Sequence, residues 1–277
     1  MNDALKLLSQ SLKPFGYHIR KHSTPNLLKI RALENNENTQ NITAPRLSLN
    51  TRHTTKDANL NHMVIYMRTC IRANRNIDTR SRITQVNLEE NTLRCLRSLV
   101  ASIEYSLQTM TNKSIELIIL DDRSDPTPLA NITKALQPLT CPYRIEQTIK
   151  TGQGHSLHQQ FSNAKLENAL AYFVEDDYLH EQDAIKICWD FYEQTLENMN
   201  THCVLYPQEH PVLYSDHYPS YIILGKDRHW RTIRHTTHTF ITHTHIVRDC
   251  WRYFENTKYF CIRKKRKLGP DASTNNT

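Results

Sequence analysis

Residues 115–125 read IELIILDDRSD, a short apolar run that ends on Asp121 and Asp122. A run of this length, bounded by turn-forming residues, reads as a buried strand that empties into a loop. The same pattern recurs on both sides. Upstream, MVIYMRTC (63–70) is a buried strand feeding a polar loop; downstream, AYFV (171–174) ends on Glu175, Asp176 and Asp177. Residues 143–149 supply a further strand. Helical periodicity fills the gaps, at about 88–107, at 156–170 and, after the acidic run, at about 181–196. In the first of these Leu93, Leu96, Val100 and Ile103 share a face, and NLEEN puts carboxylates in the first turn, where the helix dipole favours them. Strands alternating with helices predict an α/β fold, a mainly parallel sheet flanked by helices. Ligands of such sheets bind outside the carboxyl ends of the strands, and each acidic cluster sits at such an end.

Composition narrows the alternatives. A chain of 277 residues holds one large α/β domain or two small ones, and its 38% hydrophobic content is enough for a packed core. A mean hydropathy of −0.63 points to solvated segments outside that core. Only 5 glycines and 11 prolines exclude collagen-like and Gly/Pro-repeat architectures. No apolar stretch approaches the ~20 residues needed to span a bilayer, and residues 1–10 lack the basic and apolar parts of a secretory signal. A soluble, cytoplasmic protein is expected. The 7 cysteines are scattered, with no CxxC pair, so reduced thiols are expected rather than a zinc knuckle or a redox motif.

Three domains of different texture follow. Residues 1–62 carry a helix marked by Leu5, Leu8 and Leu12, stopped by Pro14 and Gly16, and then an Asn/Thr-rich polar linker read as partly disordered. Residues 63–260 form the organised domain. Residues 261–277 form a basic, flexible tail with Arg263, Lys264, Lys265, Arg266 and Lys267, which concentrates much of the net charge of +7. That run is either a solvated segment or a peripheral contact with anionic surfaces or nucleic acid.

Three constellations carry chemistry. Asp121–Asp122–Arg123–Ser124 sits at a strand tip, where a carboxylate can accept hydrogen bonds from a base or ribose; its alternative is turn chemistry, given Pro126 and Pro128. Glu175–Asp176–Asp177 packs three carboxylates together, a set of hard oxygen donors suited to Mg²⁺ or Mn²⁺; its alternative is a cap for the next helix. Between them, KTGQGH (150–155) places Gly152 and Gly154 where the backbone can approach a phosphate or ribose, or simply turn.

The order VIYMRTC, IELIILDDRSD, TGQGHSLHQQFSNA, AYFVEDDYL resembles the family 2 glycosyltransferases, nucleotide-diphospho-sugar transferases of the GT-A (Rossmann-like) type, over about residues 64–251. The resemblance implies a glycosyltransferase with a nucleotide-diphospho-sugar donor, a Mn²⁺ or Mg²⁺ cofactor and a glycan, lipid or protein acceptor of unknown identity, with inversion at the anomeric carbon. It implies that Thr69 and Arg72 flank the nucleotide and that Asp122 or Asp121 binds the base or ribose. Glu175 and Asp177 take the ends of a DxD-like motif, with Asp177 the direct metal ligand and Asp176 on the nucleotide. Glu175 departs from the family's Asp at the first position.

The second half is less structured as sequence. YPQEHPVLYSDHYPSY (206–221) is dense in groups that suit a sugar, and Asp216 is the candidate general base, with Asp249 second. HWRTIRHTTHTFITHTH (229–245) holds histidines at 229, 235, 238, 243 and 245. His243 and His245 alternate, would share a face on a strand, and are candidate metal ligands because some transferases of this architecture use a downstream histidine. Trp230 and Arg231 could line a pocket or simply pack. Two other readings stay open: a transferase that binds donor without turnover because its acceptor segment is incomplete, and a basic binding protein driven by residues 263–267. A nucleotidyltransferase is disfavoured, since MVIYMRTCIRANR lacks the glycines of a phosphate loop.

Overall fold

A computed structural model describes residues 57–72, 87–208, 220–233 and 236–259, together with two strands near the N-terminus. The expected helix at Leu5, Leu8 and Leu12, Asp216, and the basic run 263–267 lie outside the described residues. The chain divides into two compact units, Met1–Leu49 and Asn50–Thr277. In the first, β1 (Leu27–Ile30) pairs antiparallel with β2 (Ile42–Pro45), Leu27 opposite Pro45. Composition alone reads Ile42–Pro45 as linker, because a four-residue strand among Asn and Thr leaves no periodicity to detect.

The second unit is built on a six-stranded sheet. β3 (His62–Thr69), β4 (Ser114–Asp121), β5 (Tyr143–Gln147) and β6 (Leu170–Val174) are parallel. β7 (Val204–Leu205) and β10 (Phe240–His243) complete it, with β10 antiparallel to both β6 and β7. The spatial order is β5-β4-β3-β6-β10-β7. A separate two-stranded sheet pairs β8 (Ile222–Leu224) with β9 (His229–Arg231). The mixed α/β, mainly parallel architecture is the one expected from the alternation of strands and helices.

Helices are α1 (Leu88–Thr109), α2 (Pro126–Leu136), α3 (Gln153–Ala164), α4 (Ala184–Met199), α5 (Thr244–Asp249) and α6 (Trp251–Phe254), followed by a 3₁₀ turn, Glu255–Tyr259. α1 starts as the sequence predicts: Asn87 Oδ1 accepts from Glu90 N at 2.8 Å, and Glu89 and Glu90 occupy the first turn. Pro126 and Pro128, which read as loop formers, open α2, where a first-turn proline loses no helical hydrogen bond. The helix expected at 156–170 stops at Ala164. Leu166 is 79% exposed, and Leu170 already belongs to β6.

The central strands β3, β4 and β6 are buried on both faces, as is usual for parallel strands, whereas the edge strand β5 is largely exposed. Alternation assigns the faces. Val64 and Tyr66, Ile118 and Leu120, and Ala171 and Phe173 point to one side, into a core with Leu157 and Phe161 of α3, Phe240 and Val247. Met63, Ile65, Met67, Leu117, Ile119 and Tyr172 point to the other and are equally buried. There His180 lies between Tyr172, whose hydroxyl is 2.8 Å from its Nε2, and α1, whose Ser98 Oγ accepts from the His180 amide at 3.0 Å. Among the described residues no helix is long and apolar enough to cross a membrane, and none of the six described cysteines is in a disulfide.

Candidate functional site

The sheet grows from β3 through β4 to β5 in one direction and then crosses to β6 on the other side of β3. The carboxyl ends of β3 and β6 therefore flank a switch point, the place where parallel sheets open a crevice for ligands. The tips of β3, β4 and β6 bring together Arg68, Asp122 and Glu175. All three continue the α3-facing alternation, Val64–Tyr66–Arg68, Ile118–Leu120–Asp122 and Ala171–Phe173–Glu175.

Alternation also separates the two aspartates of the DDRS stretch. Asp121 points away from α3 and is fully buried. Its carboxylate accepts from Thr69 Oγ1 at 2.8 Å, Ser124 N at 2.8 Å and Ser124 Oγ at 2.5 Å. Ser124 Oγ in turn accepts from Ile71 N at 2.8 Å, so this network holds the loops after β3 and β4 to each other. Thr69, with only 2% of its surface exposed, is spent in the same network.

Asp122 faces the crevice. Its Oδ2 accepts from Gly152 N at 2.8 Å, and its Oδ1 from Thr148 Oγ1 and Arg72 Nη2, both at 3.2 Å. Arg72 also donates from Nε to Arg123 O at 2.9 Å and from Nη2 to the Asp122 carbonyl. Gly152 is the residue before α3 and has φ 105°, a conformation that an L side chain adopts only under strain. A Cβ there would meet nothing within 4 Å, so the backbone angle and not crowding calls for glycine. Gly154 is buried in the first turn of α3. The turn that opens α3 is thus fixed against the tip of β4.

Across the switch point, Arg68 Nη2 donates to Glu175 Oε1 at 2.9 Å and Nη1 to Ser156 Oγ of α3 at 3.3 Å. Burial lowers the Arg68 pKa below the usual arginine value, against the opposing pull of Glu175, Asp176 and Asp177. Burial pushes Glu175 upward, but the hydrogen bond from His238 and the charge of Arg68 outweigh it, and the carboxyl ends below its ordinary value. His238 Nδ1 lies 3.5 Å from Glu175 Oε1, and Glu175 N donates to Thr239 Oγ1 at 3.1 Å.

The rest of the acidic run divides by exposure. Asp176 turns to the α1 side, where Thr92 Oγ1 donates to its Oδ2 at 3.2 Å, while Asp177 is the exposed member. Neighbouring Tyr178 Oη is 3.0 Å from Thr237 Oγ1. A divalent cation on a diphosphate keeps several waters and takes one or two carboxylates. Asp177, with Asp176 beside it, is the pair that could meet that requirement; Glu175 pairs with Arg68 and His238.

His243 and His245 are brought together, though not with this site. β10 is antiparallel to β6, with His243 opposite Leu170, so His243 lies at the amino end of β6, about 15 Å along the strand from Glu175. Nor do the two share a strand face. β10 ends at His243, which caps α5 by accepting from His245 N at 3.2 Å, and the pair meets around that corner. Burial first, then the neighbouring imidazoles of His202 and His245, push the His243 pKa down to about 3. Trp230 stacks on Phe191 of α4 at 4.3 Å and 9°, the packing alternative for that residue. Asp249 is the last residue of α5.

The sequence reading missed Arg68, His238, Thr92 and Thr148. Arg68 was findable: extending the Val64–Tyr66 alternation by two puts an arginine at the tip of the central strand. His238 carried no such signal, because nothing in the run of five histidines says which one lies beside the carboxylates.

The family described as "Glycosyl transferase family 2" matches residues 83–252, more than half of the chain. No curated protein matches it. Among solved structures, a mycobacterial protein is similar at 13% identity and a TM-score of 0.31, over 53% of this chain and 40% of that one. The M. tuberculosis glucosyl-3-phosphoglycerate synthase is similar at 11% identity and a TM-score of 0.29, over 51% and 41%. The chain thus spans about two-fifths of the length of these structures.

Proposed function

Because the chain belongs to glycosyl transferase family 2, we propose that the crevice between β3 and β6 binds a nucleotide-diphospho-sugar and that the protein transfers the sugar to a hydroxyl acceptor, with inversion. The observation that carries this reading is the exposed Asp177 at the tip of β6, across the switch point from the Asp122–Gly152 contact. Mn²⁺ or Mg²⁺ held by Asp177 and Asp176 would neutralise charge developing on the departing nucleoside diphosphate.

The chain's own groups supply the remainder. Asp122 fixes the turn before α3, whose first-turn amides form the positive end of a helix dipole suited to phosphate oxygens. Arg72, tied to Asp122 and to the Arg123 carbonyl, edges the nucleotide side of the crevice. Arg68 sits beneath the carboxylates and holds Glu175 as an anion, so the acidic run is compensated from below before any cation arrives. Asp216 is the proposed general base on the acceptor. A cytoplasmic location, and peripheral contact with anionic surfaces through Arg263–Lys267, belong to the same proposal.

Calorimetric titration of nucleoside diphosphates and their sugars, with and without Mn²⁺, tests it. Metal-dependent binding of one nucleotide, lost in Asp177→Ala, is the expected result. Absence of binding by every nucleotide in the presence of metal overturns the reading.

A further inference from the structure

Three histidines meet at the end of the sheet opposite the crevice. His202 lies between α4 and β7, His243 is the last residue of β10, and His245 is in the first turn of α5. All three are buried, at 6%, 0% and 3% exposure. One ring nitrogen from each lies within 4.8 Å of the other two. The rings of His202 and His243 stack with centroids 4.7 Å apart, and those of His243 and His245 meet edge-on at 4.3 Å.

Packing alone does not account for this arrangement. A neutral imidazole offers one lone-pair nitrogen, which is the ligating form. His243 Nε2 is buried, and a polar ring here carries a desolvation penalty that a leucine or phenylalanine would avoid. A partner also orients the set. Tyr192 Oη lies 3.0 Å from His202 Nδ1 and accepts from His243 N at 3.0 Å. With the proton of His202 on Nδ1 and directed at Tyr192, Nε2 is left as the donor, the arrangement that ligating histidines commonly show.

We propose that His202, His243 and His245 bind one divalent transition-metal ion, zinc above all, as a structural site separate from the carboxylates at the crevice. Three nitrogen donors select zinc, and accept cobalt or nickel, over the oxygen-seeking magnesium and manganese. Ligand nitrogens in a tetrahedral zinc site are about 3.4 Å apart, for zinc–nitrogen bonds of about 2.05 Å. Spacings of up to 4.8 Å close to that value when the nitrogens approach each other by up to about 1.4 Å. If His243 binds through Nε2, its proton moves to Nδ1 and the long cap bond from the His245 amide is given up. The fourth position is left for water or another small ligand.

Cobalt is the probe. The full chain, stripped with chelator and titrated with Co²⁺, is expected to bind one equivalent and to develop the visible absorption of a tetrahedral nitrogen site; Zn²⁺ then displaces it and raises the melting temperature. His202→Gln, His243→Gln and His245→Gln each weaken Co²⁺ binding by at least about 100-fold, and Tyr192→Phe, which keeps all three rings, by about 10-fold. Asp177→Ala retains the site. A wild-type chain that binds Co²⁺ only with an octahedral spectrum, or whose bound Co²⁺ disappears in Asp177→Ala, overturns the proposal. The wild-type spectrum decides this even if a histidine variant fails to fold.

Discussion

Arg68 and Glu175 form an ion pair, Nη2 to Oε1 at 2.9 Å, across the point where the sheet changes its direction of growth. The two come from strands that are neighbours in space but about a hundred residues apart in sequence. Their side chains are only 10% and 22% exposed. A charge this sheltered is costly when its partner is removed.

Arg68→Met is therefore expected to destabilise the fold by about 3 kcal/mol, as Glu175 loses its main cation. Glu175→Gln strands Arg68 in the same way. The double variant costs less than the sum of the two. Urea unfolding of the four proteins measures the coupling, and strict additivity would show that the pair contributes nothing.

Asp121 and Asp177 respond differently. Asp121→Ala removes the acceptor for three donors in a buried network, and a loss of about 3 kcal/mol is expected. Asp177→Ala, on an exposed residue, changes stability by under about 0.5 kcal/mol and abolishes metal-dependent nucleotide binding. Parallel thermal unfolding and titration separate these roles; equal destabilisation by both variants would contradict the assignment.

Gly152→Ala tests the turn before α3. With open space around the missing Cβ and φ at 105°, the cost is conformational, about 1–2 kcal/mol. Nucleotide affinity should fall as well, since the Gly152 amide that anchors the turn to Asp122 is displaced. An unchanged affinity with the expected loss of stability would mean that the turn does not touch the ligand.

Burial lowers the His180 pKa from 6.5 to about 4. The unfolded chain then binds a proton at higher pH than the folded one does, so stability falls as pH drops from about 6.5 towards 4. The slope approaches about 1.4 kcal/mol per pH unit for this group. Chemical denaturation at pH 7 and pH 5 should show a smaller difference in His180→Asn than in the wild type.

The order of strands and helices was legible because short apolar runs alternate with helical periodicity, and at β4 and β6 they end on carboxylates; the run at 115–122 names both the strand and its loop. The choice between Asp121 and Asp122 was open to sequence reasoning in principle. Once Val64, Ile118 and Ala171 are known to share a face, alternation alone sends Asp122 towards α3 and Asp121 away from it. What stayed hidden depended on strands too short to show a period. β7 has two residues and β10 four, so neither announces itself, and His238 in the loop before β10, rather than His243 or His245, reaches Glu175.

Among the described strands of the sheet, β10 alone runs against both of its neighbours, and each of its ends has an engagement. Thr239, just before it, holds the amide of Glu175, and His243, at its close, joins the histidine cluster. Strand pairing is all-or-none: a slip by one residue would reverse every side chain. Whatever clamps one end of this four-residue strut therefore sets the register at the other, and an ion held by histidines at the base of the sheet would keep the carboxylate at its rim in place.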